Sequence, residues 1–151
     1  MKLTKLPDHV SISQMTQPPA QITVLLVEDE DAVRTVTRRI LERDGFRVLE
    51  ARSGLDGVSV ATTAAYPIDL LITDVHLPDI GGGEVASEVV KVQPRVRVLY
   101  LSGYSDEMLL DQGIATDTNS FIQKPFTSEA LRRRIWNLLN LPKTTRTDPP
   151  V

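Results

Sequence analysis

Cysteine is absent from the 151 residues. Its absence excludes a disulfide framework and a thiolate metal site, and it suits a reducing compartment. Histidine is nearly absent too. His9 and His76 stand alone, with no second histidine at ligand spacing, which argues against zinc. The longest clean aliphatic run, Val24–Val27, is far too short to span a bilayer. The segment Met1–Pro19 carries two lysines but no apolar core, so it does not read as a secretory signal. A strong excess of one charge is also missing. The net charge of −3 gives no global attraction to nucleic acid or to an anionic membrane. Internal repeats and low-complexity tracts are lacking. These absences set the expectation of a cytoplasmic location with no direct nucleic-acid or membrane partner.

What is present is ordinary globular material, 41% hydrophobic and 25% charged, enough to bury a core without staples. Six of the ten prolines lie near the two ends. Residues 1–20 and 142–151 are otherwise polar and aperiodic, and they read as flexible tails around a single domain at 21–141. Inside it, short apolar runs alternate with amphipathic stretches. The runs Ile22–Val27, Phe46–Glu50, Ile68–Thr73, Val96–Leu101 and Ser120–Ile122 are expected strands. Several are continuously apolar, as strands covered on both faces must be. Expected helices are Asp31–Arg43, Leu55–Ala64, Gly83–Val92, Asp106–Asp111 and Ser128–Asn140. In the first, Val33, Val36, Ile40 and Leu41 form the apolar stripe, with Arg34, Arg38, Arg39 and Glu42 facing water. Ser53 and Asp56 have the spacing of a capping box, and Gly45 and Pro94 are stop signals. Five βα units in series predict an α/β fold, a parallel five-stranded sheet with helices on both faces.

Ligands of such sheets bind beyond the C-terminal strand ends, so the residues at those ends matter most. The first run ends in Glu28-Asp29-Glu30, the third in Asp74, the fourth in Ser102-Gly103 and the fifth in Lys124-Pro125. Carboxylates converging from neighbouring strands repel one another, and they need a cation or must hold protons. A hard divalent ion with oxygen ligands that also binds phosphate is Mg²⁺. Lys124 offers a point charge and Ser102 a hydroxyl for phosphoryl oxygens. Asp74 is a carboxylate able to attack phosphorus and form an acyl phosphate.

The stretches LLVEDE, DLLITDVHLPDIGG, VLYLSGYS and FIQKPF resemble the four signature segments of the two-component response-regulator receiver family, the CheY-like superfamily. The resemblance spans residues 21–140 and is strongest to receivers of hybrid sensor kinases and to stand-alone receivers. It implies a flavodoxin-like, doubly wound (βα)₅ sheet of strand order 2-1-3-4-5. It implies that Asp74 is the phosphoacceptor, that Asp29 binds Mg²⁺ with Glu28 assisting, and that the backbone carbonyl of His76 is a further ligand. Ser102 corresponds to the switch hydroxyl, Lys124 to the phosphate-binding lysine before a cis Pro125, and Phe121 to the switch aromatic. The side chains of His76 and Tyr104 occupy positions that tune hydrolysis, and bulky Tyr104 is expected to slow it. The implied partner is a histidine kinase or a histidine phosphotransfer protein. A homodimer through the fourth and fifth expected helices, Asp106–Asp111 and Ser128–Asn140, is a further implication. Departures are Glu28 for the commoner aspartate, Ser102 for threonine, and Gly81-Gly82-Gly83, which makes the loop after Pro78 unusually free.

Taken singly, each motif has a plainer explanation. Glu28-Asp29-Glu30 can charge a helix N-terminus, Asp74 can serve a turn, and Arg132-Arg133-Arg134 reads as a solvated helix face rather than a nucleic-acid contact. The joint occurrence at four strand ends favours a phosphoacceptor over its rivals. Those are a docking module with the fold but no phosphotransfer, and a phosphohydrolase turning over external substrate. The latter lacks a second acid–base carboxylate close after Asp74. The expected protein is therefore a signalling switch and not an enzyme in the ordinary sense.

Overall fold

A computed structural model describes residues 21–103 and 120–139. Five parallel strands form one sheet in the order β2-β1-β3-β4-β5. They are β1 Thr23–Val27, β2 Arg47–Ala51, β3 Leu70–Asp74, β4 Arg97–Ser102 and β5 Phe121–Gln123. The described helices are α1 Asp31–Arg43, α2 Gly54–Thr63, α3 Gly82–Val92 and α4 Ser128–Leu139. The expected helix Asp106–Asp111, both tails and Tyr104 lie outside the described residues.

The apolar runs became strands because both faces of the sheet are covered. β1 and β3 are buried at every position, whereas edge strand β2 is only partly covered. Side chains alternate between two cores. Val24, Leu26, Leu70, Ile72, Leu99 and Leu101 meet Leu41 of α1 with Leu131 and Ile135 of α4. Leu25, Val27 and Leu71 meet Ala61 of α2 and Val85, Ala86 and Val89 of α3. Each fully buried Leu or Ile contributes about 1.5–3 kcal/mol, so the central strands anchor the sheet.

Four of the five strands, β2, β3, β4 and β5, end one residue beyond the expected C-terminal boundary, and β1 ends at Val27 as expected. The extension follows from pairing: Asp74 aligns with Leu101, and Ser102 with Gln123. Polar residues at a strand end stay in the ladder while a neighbour supplies hydrogen bonds. Helix α1 differs from its expected orientation. Arg34 is buried at 6% exposure, and Val36 is 55% exposed. The guanidinium is held inside by acceptors on Glu28, Asp31 and Glu50. The glycine triplet also differs. None of its members adopts a positive φ, which among the described residues belongs to Gly45 at 94°. Gly82 is required for close approach instead: a Cβ there would lie 2.2 Å from the carbonyl oxygen of Asp74. Helix α3 thus starts directly against the backbone of the site.

Candidate functional site

Parallel pairing brings the C-terminal ends of β1, β3, β4 and β5 to one edge of the sheet. Glu28 follows β1, Asp74 ends β3, Ser102 ends β4, and Lys124 follows β5. Glu28 is fully buried and Asp74 is 6% exposed. One oxygen from each of Glu28, Glu30 and Asp74 lies within 4.8 Å of the others. Two like charges about 4 Å apart cost about 4 kcal/mol at an effective dielectric constant of about 20. Such a cluster persists only with compensating charge or a bound proton.

Lys124 supplies part of it. Its Nζ donates to Asp74 Oδ2 at 2.9 Å and reaches Glu28 Oε1 and Glu30 Oε1 at 3.4 Å each. Burial opposes the ammonium charge, but the bond and charge of Asp74, seconded by Glu28, outweigh it and raise the lysine pKa. Burial pushes the Glu28 carboxyl up to about 7, against the bond from the Glu30 N–H and with the charge of Asp74. The carboxylates are therefore undercompensated by one lysine. Their donor set is wholly oxygen, and the residues fit a hard divalent cation that retains water, Mg²⁺ above all.

The loop after β1 is built locally. Glu28 N–H donates to the carbonyl of Ala51 at 3.1 Å, and Glu30 N–H donates to Glu28 Oε2 at 3.1 Å. Glu30 is then the N-cap residue of α1. Asp29 is exposed, and the three clustered carboxylates do not include it. On the β3 side, His76 N–H donates to Asp74 Oδ1 at 3.4 Å, and the His76 residue is exposed. Ser102 is fully buried, and its carbonyl accepts from Lys124 N–H at 2.7 Å. The Lys124–Pro125 peptide is cis. Phe121 is fully buried beside Val75, with Tyr100 against the pair. Sequence reasoning brought Glu28, Asp74, Ser102 and Lys124 to this edge. It placed Glu30 in the acidic run without a role there. The helical signal available was its position just ahead of α1, where an acidic residue favours the N-terminus.

Asp79 was overlooked, and Arg34 was expected to face water. Asp79 accepts from Gly54 N–H at 2.9 Å and Leu55 N–H at 2.8 Å, so the loop after β3 caps α2 together with Ser53. Those bonds, that of Leu55 foremost, hold the Asp79 carboxyl down at about 2. Arg34 donates to the carbonyl of Glu28 at 2.8 Å. Within the arginine triplet, Arg133 is exposed as expected, while Arg132 and Arg134 are only partly so. Arg132 forms a two-pronged pair with Asp44, Arg134 donates to the carbonyl of Phe121, and Arg133 pairs with Glu129.

An open parallel sheet with an acidic pocket and a lysine at its strand ends defines a phosphate-handling α/β domain. Residues 24–136 match the response regulator receiver domain. The chain belongs to the response regulator receiver family, the phosphoacceptor domains of two-component signalling. It is 30% identical over 128 residues to the sensor kinase CckA of Brucella abortus (strain 2308), which covers 85% of this chain and 14% of that one. It is 32% identical over 129 residues to the transcriptional regulatory protein CreB of Escherichia coli (strain K12), with coverage of 85% and 56%. The solved receiver domain of the hybrid histidine kinase CckA superposes with a TM-score of 0.65 at 34% identity, covering 78% of this chain and 98% of that domain. The chain therefore spans only part of these full-length relatives. No helix among the described residues is long and apolar enough to cross a membrane.

Proposed function

We propose that Asp74 accepts a phosphoryl group from a phosphohistidine, with Glu28, Asp29, Asp74 and the His76 carbonyl holding Mg²⁺. The observation that carries this reading is the 2.9 Å contact between Lys124 and an Asp74 carboxylate flanked by two more acids. An Asp74 oxygen attacks phosphorus, the phosphorus–nitrogen bond breaks, and the imidazole leaves with the electron pair and takes up a proton. Lys124 is placed to follow the charge onto the phosphoryl oxygens, and the Ser102 hydroxyl to bond another. Mg²⁺, when bound, neutralises the charge that spreads over those oxygens. Ser102 and Phe121 then form the two-state element that phosphorylation biases. His76 and Tyr104 tune the lifetime of the acyl phosphate.

The partner is a histidine kinase or a histidine phosphotransfer protein. Beside Lys124 and Glu30 lies a cleft of about 420 Å³ lined by Ala32, Val33, Val36, Pro125 and Phe126. Its apolar walls open next to the acceptor, which suits a partner helix presenting its phosphohistidine. A histidine kinase makes its phosphohistidine from ATP, which supports a cytoplasmic location. Self-association through Asp106–Asp111 and α4 belongs to the same proposal and rests on the family resemblance. The decisive experiment exposes wild type and Asp74→Asn to acetyl phosphate with and without Mg²⁺. A mass gain of one phosphoryl group is expected in wild type with Mg²⁺ alone. Labelling of Asp74→Asn to the same extent refutes the assignment.

A further inference from the structure

Helix α1 places one cation where an amphipathic helix would place an apolar side chain. Arg34 is 6% exposed, on the same buried side as Thr37 and Leu41. Burying a guanidinium is expensive unless its donors are met. Here they are met from three directions. Nη1 donates to the Glu28 carbonyl at 2.8 Å, Nη2 donates to Asp31 Oδ1, and Nε pairs with Glu50 Oε1 at 3.3 Å. Glu50, on strand β2, is itself pinned by Arg38 at 3.2 Å. The contact with Glu28 is to its backbone, not to its carboxylate. With Glu28 N–H already bound to Ala51, both polar groups of that peptide residue are tied down, one to β2 and one to α1.

We infer that Arg34 is a positioning residue for the cation pocket: it clamps the Glu28 carbonyl, and so sets the direction in which the Glu28-Asp29-Glu30 loop presents its carboxylates. This rests on the proposed Mg²⁺ site. The sign of the effect separates a clamp from a mere charge. As a charge, Arg34 repels a nearby dication, and its removal would tighten Mg²⁺ binding. As a clamp, its removal frees the loop and weakens binding. Lysine preserves the charge but presents a point donor, without the planar fork that reaches three acceptors at once.

The test titrates Mg²⁺ into the full chain by calorimetry, for wild type, Arg34→Met, Arg34→Lys and Glu50→Gln. Amide signals of Glu28 and Glu30 are followed by nuclear magnetic resonance in the same samples before metal is added. Both Arg34 variants should lose about tenfold or more in Mg²⁺ affinity, as changes to groups supporting metal ligands do, and Glu50→Gln should lose a smaller factor. The Glu28 and Glu30 amides should exchange faster with solvent in the Arg34 variants. Tighter binding by Arg34→Met, or unchanged affinity in both folded Arg34 variants, overturns the inference. If the Arg34 variants do not fold, unchanged affinity and unchanged amide exchange in Glu50→Gln overturn it. A wild type that takes up no Mg²⁺ brings down the reading of the pocket. The amide exchange rates still decide whether Arg34 holds the loop.

Discussion

Lys124 faces three carboxylates, and its loss leaves them without their only described ammonium partner. Truncating one member of such a partly buried set costs more than the pair itself contributes, because the remaining charges stay desolvated. Lys124→Met is expected to lower stability by roughly 1–3 kcal/mol, less than a fully buried pair would lose because its side chain retains some exposure. Denaturant titration measures the loss, and added Mg²⁺ should restore part of it. The same variant should slow phosphorylation by acetyl phosphate by about 10²-fold or more, the usual cost of deleting one preorganised charge partner. Gly82 presents a different constraint. A methyl group there meets the Asp74 carbonyl oxygen at 2.2 Å and Val75 Cα at 3.0 Å. Backbone atoms cannot rotate away, so Gly82→Ala must move α3 or the end of β3. A destabilisation of about 1–3 kcal/mol is expected from overpacking, with slower phosphorylation as the companion readout.

At the scale of elements, the start of α2 shows how a loop and a helix stabilise each other. Ser53 Oγ accepts from Asp56 N–H, and Asp79 takes up the two preceding helix donors. Two orphan N–H groups are satisfied from across the molecule, and a carboxylate also complements the helix dipole. The Asp79 carboxyl is held down at about 2, below its usual 3.8. A depressed acid contributes stability above its unfolded pKa and loses it as pH falls through the folded one. Asp79→Asn should therefore be less stable than wild type at pH 7, with the gap closing as pH drops from about 4 toward 2. Urea midpoints of the two proteins across that range measure it, and a gap independent of pH would exclude the carboxylate charge as its source. Helix α4 is tied at the opposite face by Arg132 to Asp44, at the end of α1. The two helices that share one core are thus joined by charge as well as by Leu41, Leu131 and Ile135.

For the whole molecule, the sheet converts chain order into a site. Glu28 and Lys124 are ninety-six residues apart in sequence, yet they meet at 3.4 Å because β1, β3, β4 and β5 run parallel. A cation held by groups from the ends of β1 and β3 would stabilise the folded chain and not the unfolded one. Mg²⁺ at a hundred times its dissociation constant should raise unfolding free energy by about 2.7 kcal/mol, and Asp74→Asn should lose much of that gain. Thermal melts with and without Mg²⁺ check it. A wild-type melting temperature indifferent to Mg²⁺ contradicts the prediction.

Periodicity and strand-end chemistry made much of this legible in the linear chain. Continuous apolar runs such as Val24–Val27 announced strands covered on both faces, because a two-residue repeat cannot appear where both sides are buried. The bounds of helix α1 were legible to the residue, and the Ser53 cap was set by spacing alone. Motif identity placed Asp74, Ser102, Lys124 and Glu28 at neighbouring strand ends. Tertiary structure alone decided which way borderline side chains turned. Arg34 went inward because β2 and the Glu28 carbonyl offered acceptors that no helical pattern records. Asp79 became a cap because α2 begins against its loop, and Gly82 became indispensable because α3 starts on Asp74. Hydrophobic periodicity is a local property and can be read residue by residue. The partners of a buried charge, and the space left beside a glycine, exist only once distant segments have been packed together.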